Sequence, residues 1–170
     1  MTHETFWSLI EESHTLAHGD DNAQCKILQG QLEQLPATEI QSFDQIYDEM
    51  RMASYDNRLW AAAYIINGGC SDDGFEYFRG WLISRGQKVF DAALQDPGSL
   101  AEVITHEEGE GDFELEEMLY IARRAYEKKT GQEMPPGPKL QWELKGPHWD
   151  EDTVDDLYPR LAQVIADRES

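Results

Sequence analysis

Apolar residues recur along the chain at intervals of three and four and nowhere alternate at period two, which predicts helices and no sheet. Phe6, Leu9, Ile10, Ser13 and Leu16 share one helical face, giving a first helix over roughly residues 5–17 that closes at His18-Gly19-Asp20. A second helix from about Asp21 carries Cys25, Leu28, Leu32 and Leu35 and stops at Pro36, with Gly30 as its weak point. The third opens at Pro36 or Ala37 and sets Ile40, Phe43, Ile46, Tyr47 and Met50 on one face. Short connections would let these three pack as an antiparallel bundle.

The centre of the chain is the densest part of the pattern. Trp60, Ala63 and Tyr64 keep i, i+3, i+4 spacing in an alanine-rich run, predicting a buried helix with Asn67-Gly68-Gly69 as its C-terminal stop. Ser71 can cap the next helix, with Asp72 and Asp73 in a first turn that favours negative charge. Phe75, Phe78 and Leu82 then make a second buried stripe, flanked by Trp81 and Ile83.

Beyond Gly86, the residues Val89, Phe90, Ala93 and Leu94 predict another helix, Asp96-Pro97-Gly98 a turn, and residues 99–104 a short helical piece. Residues 107–112 are acidic, hold two glycines and lack periodicity, as an exposed loop would. From Phe113, a stripe of Leu115, Met118, Leu119, Ala122, Ala125 and Tyr126 predicts one helix ending at Lys128-Lys129-Thr130-Gly131. Met134-Pro135-Pro136-Gly137-Pro138 can only be an extended connector. Trp142 and Trp149 bracket an irregular stretch, and Val154, Leu157, Leu161, Val164 and Ile165 predict a terminal helix, with Pro159 close to its start.

The pattern therefore predicts an all-α fold: a single-domain helical bundle of about six to eight helices, in which a Pro-rich connector precedes the C-terminal helix. Residues 1–131 form the helical domain, and residues 132–170 the connector and last helix packed on it. At 170 residues the chain can bury a real core.

Composition changes the functional picture through charge. Thirty-four acidic against fourteen basic side chains leave a formal net charge of −20. Such a surface repels phosphate backbones and anionic membranes, so neither a nucleic-acid nor a membrane partner is expected, while a basic protein partner fits. No run approaches the ~20 apolar residues of a membrane span, and Met1-Thr2-His3-Glu4 has no signal-peptide character, so a cytoplasmic location is expected. Cys25 and Cys70 are too few and too far apart for a disulfide framework or zinc ribbon.

Candidate chemistry is sparse. Gly-x-Gly-x-x-Gly, Gly-Lys-Ser/Thr and Gly-x-Ser-x-Gly signatures are missing, so no catalytic residue, metal site or cofactor is assigned. Asp72 and Asp73, with Glu76 a turn on, suit either capping or a carboxylate cluster. Arg79 lies near the face of Asp72, two turns away, and suits either an anion site or an internal pair. Cys70 precedes a helix N-terminus that favours thiolate, but the nearby aspartates oppose it. Glu11, His14 and His18 share a face and would need ligands from another helix to hold a metal. The acidic run at 107–114 fails the spacing of a calcium loop.

The stretch Trp60-Ala61-Ala62-Ala63-Tyr64-Ile65-Ile66-Asn67-Gly68-Gly69-Cys70-Ser71-Asp72-Asp73-Gly74-Phe75-Glu76-Tyr77-Phe78-Arg79-Gly80-Trp81-Leu82-Ile83, with Gly86 and Val89-Phe90, resembles the signature of a bacterial family of domains of unknown function, catalogue number four thousand two hundred and forty. The likeness runs from about Phe6 to Gly131. It implies a small, mostly helical bacterial domain and brings no reaction, cofactor or catalytic residue.

Two functions follow as expectations. The first is a non-catalytic acidic interaction module, of the kind an immunity or antitoxin-like inhibitor would be, offering Glu107, Glu108, Glu110 and Asp112 to a basic partner. The second is a small enzyme or ligand-binding domain with a polar site at the 68–79 corner, built from Asp72, Asp73, Tyr77 and Arg79. Nothing in the sequence sets the oligomeric state.

Overall fold

A computed structural model describes residues 1–108 and 111–170. Among them are nine α-helices: α1 (His3–Ala17), α2 (Asp21–Glu33), α3 (Ala37–Ala53), α4 (Asn57–Asn67), α5 (Asp72–Ser84), α6 (Gln87–Gln95), α7 (Leu100–His106), α8 (Ile121–Thr130) and α9 (Pro159–Glu169). No strand occurs among the described residues, and the all-α fold is as the periodicity predicts.

Local chemistry sets the boundaries. Thr2, Asp20, Asp56 and Ser71 each accept a backbone N–H at the start of their helices. His18, Gly68 and Gly131 end α1, α4 and α8 in the left-handed conformation. Pro159 opens α9 at the position where its missing N–H costs nothing, so it starts the last helix and Val154 lies in a separate 3₁₀ turn.

Packing is centred on α5, which contacts α1, α3, α4 and α6. Phe75, Phe78, Trp81, Leu82 and Ile83 on this helix are all buried. Trp81 meets Phe78 at 5.6 Å and Phe113 at 5.2 Å between ring centroids. Phe6 packs on Phe43 at 4.7 Å and Trp7 on Phe90 at 5.3 Å, joining α1 to α3 and α6. The first three helices do not close a bundle by themselves: α1 packs on α2 and α3, and it is α8 that packs on both α2 and α3 and joins them.

Two further expectations change. The stripe from Phe113 is not one helix: the chain is extended at Leu115, makes a 3₁₀ turn over Glu116–Leu119 and becomes α-helical only at Ile121. The Leu115 N–H donates to the Tyr77 carbonyl at 2.9 Å, so the segment crosses α5 and its apolar side chains enter the core from a crossing strand-like piece. On α4 the deeply buried face is Leu59, Ala61, Ala62, Ala63, Ile65 and Ile66, whereas Trp60 and Tyr64 are only half-buried.

The segment after α8 runs beside Trp60 and Tyr64. Asn57 N–H donates to the Lys145 carbonyl at 2.7 Å and Lys145 N–H to the Tyr55 carbonyl at 3.2 Å, a single parallel bridge that ties the connector across the start of α4. Trp142 then meets Tyr55 edge-on at 5.8 Å, and Trp149 meets Tyr64 at 5.2 Å. Further on, α9 packs against α4 and α7.

Asp44 on α3 makes a stability prediction. Burial, then the charge of Asp48, push its carboxyl up to about 6. The folded state thus binds this proton more tightly than the unfolded chain, and its charged form costs stability once the pH rises through about 6. Asp44→Asn is expected to raise the melting temperature at neutral pH, with the difference shrinking as the pH falls toward the ordinary value of 3.8. Thermal melts across that range check it.

Candidate functional site

One side of α5 faces a cleft of about 540 Å³. Asp72, Asp73, Glu76 and Arg79 reach it because offsets of three, four and seven residues return to one face of a helix. Opposite stand Asp48, Arg51 and Tyr55 from α3 and the turn after it, and the connector supplies Leu140 and Trp142.

Arg79 forms the floor and is 4% exposed. Its Nε–H donates to the Phe75 carbonyl at 3.3 Å and an Nη1–H to the Arg51 carbonyl at 2.7 Å. The guanidinium carbon lies 4.7 Å from the Phe75 ring centre, 4.9 Å from Tyr55 and 5.7 Å from Trp142. Among the described residues no carboxylate pairs with it. Burial, then the nearby Arg51 charge, lower its pKa to about 10, so it stays cationic at neutral pH in a setting that disfavours the charge.

Arg85, one helix turn and a half further on, shows what a structural arginine looks like in the same fold. It is similarly buried but pairs with Asp21 and with Glu107 at 3.2 Å, and donates to Gln24 Oε1 at 3.1 Å. Arg51 is also paired with carboxylates, through Nη1 with Asp48 at 2.6 Å and through Nη2 with Glu76, while its side chain lies over the Trp142 ring at 5.0 Å. Asp48 and Glu76 are therefore committed to Arg51. Asp72 and Asp73 are exposed on the rim and enter no ion pair among the described residues.

The other sequence candidates lie elsewhere. Tyr77 points away from the cleft: burial, then Glu116, raise the pKa of its phenol, and that neighbour belongs to the crossing segment. Cys70 is pushed up to about 12 by burial and then by Glu114, which leaves an inert thiol despite the helix start that follows. Glu11 accepts the Gln87 N–H at 3.2 Å and His14 meets Gln24 at 3.4 Å, so these two side chains serve different helix contacts. No group of three or more His, Cys, Asp or Glu side chains among the described residues is arranged to hold a metal ion.

The acidic candidates separate as well. Glu107 is held by Arg85, whereas Glu108 and Asp112 are exposed; Glu110 lies outside the described residues. Arg51, Tyr55 and Trp142 were not singled out by sequence reasoning. Arg51 and Tyr55 are four residues apart at the end of the α3 stripe, and that polar interruption was the available signal.

The central α4–α5 corner, the buried stripe and the capped helix starts are features of a recognised domain. Residues 1–128 match a family described as protein of unknown function, DUF4240. The chain belongs to the DUF4240 family. No curated protein and no solved structure matches it. The DUF4240 match covers α1 to most of α8 and ends before the connector, so the floor and rim of the cleft lie within the matched region while Leu140 and Trp142 lie beyond it. No described helix is long and apolar enough to cross a membrane.

Proposed function

We propose that this DUF4240 protein is a non-catalytic binding module whose site is the cleft over Arg79. The observation that carries the reading is a buried guanidinium, boxed by aromatic rings, with no carboxylate of its own. Burying an uncompensated charge is costly, and a ligand bringing an anionic or strongly accepting group would offset that cost with charge-assisted hydrogen bonds. Asp72 and Asp73 at the rim add the complementary requirement of a positive group on the same molecule. The ligand is thus a small zwitterion, its carboxylate toward Arg79 and its ammonium toward the two aspartates.

The test is a calorimetric series of ω-amino acids from glycine to 6-aminohexanoate against the matching plain carboxylates and amines. At least one amino acid is expected to bind about tenfold more tightly than either half-molecule. If none binds up to roughly 10 mM, the cleft is not such a site.

The net charge of −20 favours a second reading, a surface that receives a basic protein partner as an immunity or antitoxin-like inhibitor would. Of the acidic candidates among the described residues, Glu108 and Asp112 are the ones with exposed, uncommitted carboxylates. A basic protein that co-purifies with the wild type at low salt, and is lost with Glu108→Lys and Asp112→Lys, supports it. A cytoplasmic location fits both readings and the two free cysteines.

A further inference from the structure

The ring stack over Arg79 has a second side. Trp60 lies parallel to Phe75, with centroids 4.8 Å apart and planes at 14°. Its indole N–H donates to the Cys70 carbonyl at 3.0 Å, which fixes the ring. Tyr64, one turn later on α4, meets Trp149 of the connector at an interplanar angle of 60°. These three half-buried rings line a separate hollow of about 530 Å³.

Charge at this hollow is one-sided. Asp150, Glu151 and Asp152 line it together with the rings and His148, and among the described residues neither lysine nor arginine does. None of the three carboxylates enters an ion pair among the described residues. Asp150 Oδ1 accepts the Asp152 N–H at 2.9 Å, which shapes the turn that holds the acidic run beside the rings. Glu151 stands close enough to the Tyr64 phenol to add to the effect of burial on it.

We propose that this hollow binds an organic cation, an alkylammonium group seated against the faces of Trp60, Tyr64 and Trp149 and balanced by the carboxylate of Glu151. Aromatic faces attract cations through their quadrupole, and methylated ammonium groups give up hydration cheaply, so rings hold them better than oxygen ligands do. A divalent metal has the opposite need, a shell of oxygens that ring walls do not supply. The two hollows have no lining residue in common, the buried Phe75 ring standing between Trp60 and Arg79, and this site does not depend on that cleft being one.

The experiment follows the Trp indole N–H signals by NMR during titration with tetramethylammonium chloride, choline, and 3,3-dimethyl-1-butanol, the uncharged isostere of choline, with sodium chloride matching ionic strength. The two cations are expected to move the Trp60 and Trp149 signals saturably, with the neutral alcohol at least about tenfold weaker. Trp149→Leu, which keeps an apolar contact, and Glu151→Gln, at an exposed position, are each expected to weaken the cations about three- to tenfold or more, whereas Arg79→Met leaves them unchanged. A peptide bearing one trimethyllysine identifies the source: tighter binding than choline assigns a protein side chain, and equal or weaker binding a free small molecule. Unmoved indole signals, an alcohol that binds as well as choline, or variants that bind like the wild type would overturn the assignment.

Discussion

Arg79→Met is expected to abolish zwitterion binding in the cleft, by about a hundredfold or more, while moving the melting temperature by less than about 4 °C. The two effects part company because the wild-type charge is a burden on the fold. Desolvating a guanidinium costs several kcal/mol, and what offsets it here is two hydrogen bonds to carbonyls and contact with three rings, together of about the same size. The carbonyls are not orphaned by the change: the Arg51 carbonyl also accepts the Ser54 hydroxyl at 3.1 Å, and the Phe75 carbonyl lies inside α5. Methionine keeps the unbranched stem and its contact with the rings.

Arg85→Met supplies the contrast. It leaves Glu107 and Asp21 without their cation and Gln24 Oε1 with only the longer His14 contact, and is expected to cost about 3–5 kcal/mol without touching ligand affinity in whatever fraction remains folded. Calorimetric titration and thermal melts on the two variants read both outcomes. Retained binding in Arg79→Met would remove the cleft from consideration; a large loss of stability there would recast Arg79 as a structural residue like Arg85.

The difference between these arginines marks the limit of what the sequence discloses. Both follow aromatic residues on α5 or its end, and one-dimensional spacing treats them alike. Their partners, Asp21 and Glu107 for the one and only carbonyls and rings for the other, come from distant segments. Caps and stripes were legible because they are local: Ser71 accepts the Gly74 N–H and Gly68 is left-handed, as their residue types require. Tyr77 was grouped with Asp72, Asp73 and Arg79 by proximity along the chain, yet offsets of five from Asp72 and two from Arg79 turn it off the face those two share, and only Asp73, four residues back, lies on its side. Trp142 and Trp149 were visible only as aromatics in an irregular stretch. Their roles depend on the bridge between Lys145 and the start of α4, which no periodicity encodes.

The break at Phe113 has the same origin, and Gly80 is where it can be tested. Glycine in a helix interior is ordinarily a weakness, so exchange for alanine should gain about 0.5–1 kcal/mol. Gly30 in α2 meets that condition, with nothing within 4 Å of an added Cβ, and Gly30→Ala is expected to stabilise by that amount. At Gly80 a Cβ would stand 2.7 Å from the Leu115 carbonyl oxygen, 3.2 Å from the Tyr47 hydroxyl and 3.4 Å from Met118 Cβ. The oxygen cannot retreat as a side-chain tip would, because Leu115 N–H is held by the Tyr77 carbonyl one turn back on the same helix. Gly80→Ala is therefore expected to destabilise by about 2–3 kcal/mol, and Gly80→Val by more, since the crossing segment must lift off α5 and take Met118 with it. Denaturant midpoints at unchanged slope give both values. Opposite signs at Gly30 and Gly80 establish that the segment lies directly on α5; a stabilised Gly80→Ala would mean that residues 113–120 continue the helix their spacing predicts.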